Sequence, residues 1–362
     1  MINLDKQPQG QSKLFFGEHD LARLDLPFDP KFKALAEIDE SNAWFLNVVS
    51  CSQDRWTEFP PHALSKFQKT LAYQTVTDSL VPDVFPIFSE IATDPWLKYL
   101  YSRITTMEHT HAMSYSSGVT QAFGAKATEF LDIIYTDPKI KERITPELEI
   151  ATKFINVVHA GWENTDENKK LHLEMLVTVF LLEGVKFPFS FFTSWTLNRG
   201  YDNVAQGFSQ LLIKIATDEM VVHTATGSNV INKLRKSADY KHLFESGWFD
   251  QMAEKRFTDI VAREIDWAIY LLEDGECPGF NEAICVHFIH YWADRRRKEI
   301  KIEQQHNVKK NDIEDWFDEY RNINNKTAAL QEIDNISYQL GQVKNDIDRF
   351  DSFKGFTCTK KK

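Results

Sequence analysis

The chain has 362 residues with a formal net charge of −11, and 43% of its residues are hydrophobic, including 27 phenylalanines and 9 tryptophans. This length and apolar content suffice for one large domain or two ordinary ones with a sizeable core, and they exclude a disordered protein. Only 14 glycines and 12 prolines disfavour a turn-rich all-β chain, and the acidic balance argues against general nucleic-acid binding.

The N-terminal residues and the cysteines indicate the compartment. Residues 1–6 contain no apolar core flanked by positive charge, so no signal peptide is predicted there. The cysteines Cys51, Cys277, Cys285 and Cys358 are widely spaced, with no C-x-x-C pair. We therefore expect a reduced, cytoplasmic protein without a thiolate zinc site.

Helical signals dominate the chain and predict an all-α helical bundle. Three dipeptides place a capping residue directly before a proline and so predict helix starts: Asp94-Pro95, Asp137-Pro138 and Thr145-Pro146. Apolar periodicity and the glycines between segments indicate the long helices. These are predicted at 62–81, 95–123, 166–198, 203–236, 249–273 and 280–303.

The most apolar run, residues 173–193, is long enough to raise the question of a membrane span. It carries Glu174, Glu183 and Lys186, and an ionised group in the middle of a bilayer is costly. The run is therefore predicted to be a helix buried inside a soluble protein, with no membrane partner.

Two further segments are interpreted without a catalytic role. Residues 295–298, Arg-Arg-Arg-Lys, are predicted to form a solvated helix end and not a site for anions or nucleic acid. Residues 322–362 are polar and end in three lysines, which is typical of a flexible tail. The predicted organisation is a helical domain at 1–321, with an N-terminal arm, followed by this tail.

Carboxylates on apolar helix faces are the informative anomaly of this sequence. Asp78 continues the stripe of Leu64 and Leu71, and Glu183 lies seven residues after Leu176 in the most apolar run. Each could be a helix-end or ion-paired residue if taken alone. Burying an unpaired carboxylate costs several kcal/mol or forces it to take up a proton.

Two carboxylate–histidine pairs complete the anomaly. Glu108 and His111 are spaced i, i+3, and Glu219 and His223 are spaced i, i+4, so each pair shares one helix face. A single such pair is weak evidence for a metal, but four helices with this inventory match the di-iron and di-manganese bundle sites. Oxygen ligands with two imidazoles suit iron or manganese. The candidate metal ligands are Asp78, Glu108, His111, Glu183, Glu219 and His223.

These residues lie in motifs that resemble the small, radical-generating subunit of class I ribonucleotide reductase, a ferritin-like di-metal carboxylate family. The similarity runs over nearly the whole chain. The motifs that carry it are Tyr73-Gln74-x-x-x-Asp78-Ser79, Glu108-x-x-His111-Ala112-Met113-Ser114-Tyr115, Glu183-Gly184-Val185-Lys186-Phe187, Ile215-Ala216-x-Asp218-Glu219 and Ser337-Tyr338-x-x-Gly341-Gln342.

The resemblance implies a metal centre and a stable radical. One metal would be held by Asp78, Glu108 and His111, and the other by Glu183, Glu219 and His223. Iron is the first expectation and manganese the alternative, with O2 needed for activation. Tyr115 corresponds to the radical position, with a plain core tyrosine as the alternative. The positions that match the apolar pocket around the radical are Phe187, Phe191 and Ile215.

The resemblance also implies a route for the radical out of the bundle. Trp44 and Asp218 match the pair that links the metal-bound His111 to the surface by hydrogen bonds, and Tyr338 matches a relay tyrosine between subunits. Three phenylalanines at a spacing of three, Phe350, Phe353 and Phe356, could form an amphipathic stripe that docks the tail on a large (alpha) subunit, or could be apolar tail residues without that role. That subunit would reduce ribonucleoside diphosphates or triphosphates, and the small subunit is expected to be a homodimer.

One spacing departs from the family, and two other functions are considered. The family has Glu-x-x-His where this chain has Glu219-x-x-x-His223, and a one-residue π-bulge would absorb the extra residue. A stand-alone di-metal oxidase would not need Trp44, Tyr338 or a docking tail. A ferritin-type storage bundle would not need Tyr115 in an apolar pocket.

Overall fold

The structure is a computed structural model that describes residues 13–17, 24–25 and 29–322. Fifteen α-helices lie within these residues, and two π-helical segments, π1 (Leu182–Lys186) and π2 (Asp218–His223), interrupt the longest helical stretches. The helices are α1 (Pro30–Asn42), α2 (Pro61–Leu80), α3 (Phe85–Ile91), α4 (Pro95–Phe123), α5 (Ala127–Leu131), α6 (Ile133–Thr136), α7 (Pro138–His159), α8 (Asp166–Leu181), α9 (Phe187–Gly200), α10 (Gln206–Thr217), α11 (Thr224–Leu234), α12 (Lys241–Glu245), α13 (Trp248–Leu272), α14 (Glu282–Glu299) and α15 (Asp312–Tyr320).

The predicted all-α class is confirmed. Over the described residues the only β-type pairings are two isolated bridges. The helix predicted at 95–123 has those bounds, and it begins at Pro95 because Asp94 caps it, with its carboxylate accepting from the Leu97 N–H at 2.8 Å. Asp137 caps α7 in the same way, accepting from the Lys139 N–H at 2.8 Å.

The helix start predicted at Thr145-Pro146 is wrong. Pro146 lies inside α7, which runs on from Pro138 to His159. The Thr145 hydroxyl donates to the Lys141 carbonyl at 2.7 Å, one turn back in the same helix, and so does not cap a new one. A proline inside a helix is destabilising, and the amphipathic packing of α7 against α8 and α13 offsets this cost.

Four helical rods form the centre of the bundle. They are α2, α4, the continuous run α8–π1–α9 and the continuous run α10–π2–α11. α2 packs against α4 and α9, α9 against α10, and π1 against π2, so the two π segments face each other. The stretch 166–200 is long and apolar enough for a membrane span, but its most apolar window is entirely buried inside the protein. The prediction of a buried core helix is confirmed.

The first π segment has a local cause in the sequence. Pro188 has no N–H, and its ring collides with the carbonyl four residues earlier in an α-helix, which here belongs to Gly184. The backbone avoids this contact by widening, and the Phe187 N–H bonds the Leu182 carbonyl five residues back. Glu183 therefore lies in a π-helical turn.

The prediction of a solvated helix end at 295–298 is wrong for its two central residues. Arg296 and Arg297 are buried near the end of α14, 2% and 0% exposed. Arg297 pairs with Glu254 of α13, while Arg296 pairs with Glu299 at 2.6 Å and donates from Nε to the Gly184 carbonyl at 3.0 Å. Partners distant in sequence make this burial tolerable.

A buried histidine makes the stability of the fold dependent on pH. His172 of α8 is fully buried, stacks on the ring of Phe154 at 5.5 Å and bonds the Tyr240 hydroxyl at 2.9 Å. Burial lowers its pKa to about 3. Because the folded pKa lies below the unfolded value, stability falls as the pH drops through about 6.5 and continues to fall towards the folded pKa.

Between pH 7 and pH 5 this histidine is expected to remove about 2 kcal/mol of unfolding free energy. The His172→Gln variant should lose correspondingly less stability over that interval, measured by urea unfolding of metal-free protein at both pH values. His159→Gln, at an exposed position, serves as the control and should behave as the wild type. Equal pH dependence in all three proteins would contradict the assignment to His172.

Candidate metal centre

Each rod of the bundle contributes to one buried polar cluster. Asp78 lies near the end of α2, and Glu108 and His111 lie on successive turns of α4. Glu183 comes from π1, and Glu219 and His223 come from π2. All six side chains are at most 4% exposed.

The six predicted ligands converge into two overlapping groups. Within each group, one ligand atom from every residue lies within 4.8 Å of all the others. Glu108 and Glu219 belong to both groups, and each group adds a further carboxylate and a histidine. The groups are Asp78, Glu108, His111 and Glu219, and Glu108, Glu183, Glu219 and His223.

Most of the ligand atoms face one another without satisfying one another, as a metal site requires; the exception is the hydrogen bond between His223 Nδ1 and Glu219 Oε2 at 2.8 Å. Both carboxylate oxygens of Asp78, Glu108 and Glu183 are buried without a hydrogen-bond partner. Nδ1 of His111 lies 2.9 Å from Glu219 Oε1, also without hydrogen-bond geometry. Orphaned buried polar atoms at this density are rare in proteins. Two divalent cations would satisfy them and balance the four carboxylate charges, so this donor set fits a di-metal centre.

Without cations, the close approach of these side chains shifts several of their pKa values away from the usual range. Burial and the neighbouring carboxylates raise the pKa of Asp78 and of Glu183 well above the usual range. Burial lowers the pKa of His223, but the carboxylates of Glu219 and Glu108 outweigh it and raise the pKa to about 10. Several carboxylates in one dry site cannot all be charged unless positive charge is added.

The second π segment accommodates the long Glu219–His223 spacing. In π2 the Thr224 N–H bonds the Glu219 carbonyl five residues back, so the turn holds one residue more than an α-helical turn. His223 Nδ1 consequently lies 2.8 Å from Glu219 Oε2 and 3.1 Å from Glu108 Oε1. The π-bulge considered from the sequence is present.

His111 is linked to the outer part of the bundle by two hydrogen bonds. Its Nε2 lies 3.0 Å from Asp218 Oδ2, and the Trp44 indole N–H donates to the same oxygen at 2.8 Å. An ionised carboxylate can only accept, so Nε2 donates to Asp218, and Nδ1 is the nitrogen that lies towards the carboxylate cluster, as in histidines that ligate metals. Phe45, which follows Trp44, is 84% exposed, so this chain of contacts ends next to the surface.

Tyr115 lies one turn beyond His111 on α4 and is fully buried. Its hydroxyl faces the Asp78 carboxylate without strict hydrogen-bond geometry, and it has no other partner in the described part of the chain. Burial and the nearby carboxylates, Asp78 foremost, raise the pKa of this phenol well above its usual value. The side chain is therefore a neutral phenol next to an acidic cluster.

The apolar surroundings of Tyr115 include a residue that sequence reasoning missed. The three predicted pocket residues are all fully buried: Phe187, Phe191 and Ile215. The aromatic ring that pairs with Tyr115, however, is that of Phe208, with ring centroids 6.2 Å apart. Phe208 lies seven residues before Ile215, on the same stripe of α10. That spacing was a usable signal.

A distant loop fixes the start of α10 and with it Phe208. The Asp54 carboxylate accepts the N–H groups of Gly207 and Phe208 at 2.7 and 2.8 Å, which satisfies donors of the first turn. A Cβ on Gly207 would lie 2.3 Å from the Ser50 carbonyl oxygen, so glycine is required at this close approach.

Tyr338 and the three tail phenylalanines lie outside the described residues.

The fold and this cluster define a ferritin-like helical bundle with a buried carboxylate–histidine centre. The sequence profile described as ribonucleotide reductase, small chain, matches residues 27–331. The ribonucleoside-diphosphate reductase 1 subunit beta of Escherichia coli O157:H7 is 27% identical over 372 residues, covering 96% of each chain.

Solved structures agree on the fold. The ribonucleotide reductase R2 subunit from Clostridium botulinum matches with a TM-score of 0.72 and 21% identity, covering 81% of this chain and 88% of its own. The dimanganese(II)-NrdF of Streptococcus sanguinis matches with a TM-score of 0.65 and 16% identity, covering 80% and 96%.

The chain belongs to the ribonucleotide reductase small chain family. It is therefore a subunit of an oxidoreductase, and the alternatives of a stand-alone di-metal oxidase and a ferritin-type storage bundle are not favoured.

Proposed function

We propose that this chain generates and stores the radical of a class I ribonucleotide reductase, with Tyr115 as the radical residue. The observation that carries the proposal is the convergence of six buried ligand side chains, from four rods, next to an unpartnered tyrosine. A structural core would pair these groups, since unsatisfied buried charge is destabilising.

Two metal ions per chain would occupy the centre. Asp78 and His111 would bind one ion and Glu183 and His223 the other, with Glu108 and Glu219 reaching both. Iron is the proposed metal and manganese the alternative, which the dimanganese relative supports. With O2, the bound metal pair would supply the oxidising power that removes one electron from Tyr115.

The protein groups around Tyr115 control the proton and exclude water. Among the acidic groups, the Asp78 carboxylate has the largest effect on the pKa of the phenol, and it is placed to take the phenol proton as the electron leaves. The buried rings and Ile215 keep solvent and reductants from the oxidised side chain, which favours a long-lived radical. The proposed pocket consists of Phe187, Phe191, Phe208 and Ile215.

The radical would then reach a partner subunit. We propose that the oxidising equivalent passes along His111, Asp218 and Trp44 and then through Tyr338 to a large (alpha) subunit on which the C-terminal tail docks. The curated relatives are named ribonucleoside-diphosphate reductases, which supports ribonucleoside diphosphates as the substrates of the assembled enzyme. We further propose a cytoplasmic homodimer.

The direct test is an electron paramagnetic resonance spectrum combined with metal analysis, after metal-free protein has received Fe(II) and O2. We expect about two irons per chain and a tyrosyl signal. A parallel sample loaded with Mn(II) tests the alternative metal. Iron uptake without a radical would contradict the assignment of iron and favour manganese, and absence of stoichiometric metal in both samples would overturn the proposal.

A further inference from the structure

The carbonyl of Gly184, close to the buried carboxylate–histidine cluster, lacks the hydrogen-bond donor that an α-helix would provide. In an α-helix it would accept from the N–H of residue 188, but that residue is Pro188. The carbonyl is instead met from outside the rod by Nε of Arg296, at 3.0 Å. A buried carbonyl without a partner would cost about 1–3 kcal/mol, so this contact is a substantial stabilisation of π1.

Arg296 can take this position only because residue 184 is a glycine. A Cβ added to Gly184 would lie 2.6 Å from Nε and 2.8 Å from Cδ of Arg296, a separation that real Cβ atoms do not show. Arg296 is itself held in place, since its Nη1 contacts both oxygens of Glu299 at 2.7 and 2.6 Å. A carboxylate one turn away on α14 thus orients the guanidinium towards π1.

The residue held by this contact is adjacent to a proposed metal ligand. Glu183 precedes Gly184 in the same π turn, and both of its carboxylate oxygens are buried without a partner. Apart from Glu219, which is itself a proposed ligand, no side chain in the described part of the chain bonds these oxygens, so nothing outside the cluster orients Glu183 and its position depends on the backbone. Pro188 disfavours a standard α-helical turn here, but any other change in the winding of π1 would alter the number of residues per turn, and Glu183 would then rotate about the axis of the rod.

We propose that Arg296, through the Gly184 carbonyl, is a positioning residue that keeps π1 in its π-helical register and thereby directs Glu183 into the metal centre. We call this contact the π1 clasp, consisting of Gly184, Pro188 and Arg296. Its effect on metal binding rests on the proposed function. Its effect on the backbone does not.

The helix offers a matched control one residue further on. Arg297 is as buried as Arg296 and also pairs with a carboxylate, Glu254, but its hydrogen bonds go to Glu254 and the Glu303 carbonyl and not to π1. Arg296→Met and Arg297→Met therefore remove the same chemical group from the same helix. Gly184→Ala is a second route to the same defect, because it keeps every charge and displaces the guanidinium.

The first measurement is hydrogen exchange in the metal-free, full-length protein. The Phe187 amide, which bonds the Leu182 carbonyl, should exchange at least about tenfold faster in Arg296→Met and in Gly184→Ala than in the wild type. Arg297→Met should leave this amide unchanged. If the amides of residues 182–187 exchanged at the same rate in Arg296→Met as in the wild type, the π1 clasp would be overturned.

The second measurement is a Mn(II) titration, with free Mn(II) followed by its paramagnetic resonance signal. The wild type and Arg297→Met should bind two ions, and Arg296→Met should bind one of them about 10- to 100-fold more weakly. Faster exchange with unchanged binding of both ions would refute the positioning of Glu183, and equal losses in both arginine variants would indicate general destabilisation and also refute it. A wild type that binds no Mn(II) and no iron would overturn the proposed function, while hydrogen exchange would still decide on the clasp.

Discussion

Tyr115→Phe is expected to lower turnover with the large subunit by about a thousandfold or more while both metal ions remain bound. The substitution removes one oxygen atom that has no hydrogen-bond partner and alters none of the six ligands. Folding stability should therefore change by less than about 1 kcal/mol. The tyrosyl resonance should be absent, because phenylalanine has no O–H from which an electron and a proton can be removed.

Tyr73 provides the matched control for this experiment. It is also fully buried, but the Arg143 guanidinium lies 3.5 Å from the centre of its ring and the Lys186 ammonium 5.5 Å. Cations over the ring disfavour its oxidation, whereas the carboxylates next to Tyr115 favour it. Tyr73→Phe should keep the radical and most of the turnover. A radical that survives in Tyr115→Phe and disappears in Tyr73→Phe would reverse the assignment.

The sequence predicted those parts of the fold that depend on neighbours along the chain. Asp94-Pro95 fixed the start of α4, and the periodicity of apolar residues gave the four rods. The helix α1 was missed although Asp29-Pro30 carries the same signal, and the Asp29 carboxylate does accept from the Lys31 N–H at 2.9 Å. The six proposed ligands could be named because carboxylates on apolar stripes conflict with burial unless a cation joins them.

What escaped prediction depends on contacts between segments far apart in sequence. Arg296 reaches a carbonyl 112 residues earlier, and Arg297 reaches a carboxylate 43 residues earlier. A run of basic residues at a helix end has the same local pattern whether it is solvated or buried. Thr145-Pro146 failed for a related reason, since tertiary packing of α7 outweighs the local preference for a helix start. Local sequence preferences decide where helices can form, and tertiary packing decides where the structure departs from those preferences.

Asp218→Asn is expected to reduce turnover about 10- to 100-fold while a radical still forms on Tyr115. Asp218 Oδ2 is the atom shared by the His111 ring and the Trp44 indole, at 3.0 and 2.8 Å. An amide keeps the size of the side chain but removes the charge that orients the His111 N–H. Rapid-mixing paramagnetic resonance and turnover with the large subunit would measure both quantities on the same sample.

Trp44→Phe distinguishes transfer of the radical from support of the metal ligand His111. It removes the hydrogen bond between Trp44 and Asp218 and keeps the one between Asp218 and His111. We expect it to keep both metal ions and the radical and to lose turnover as Asp218→Asn does. Asp39→Asn is the control for loss of a nearby charge: Asp39 is equally buried, pairs with Arg103 at 2.7 Å and interacts electrostatically with Asp218 and His223, but it makes no hydrogen bond in this chain of contacts. Full turnover in Trp44→Phe together with metal loss in Asp218→Asn would show that Asp218 supports His111 as a ligand and that the radical leaves the bundle by another route.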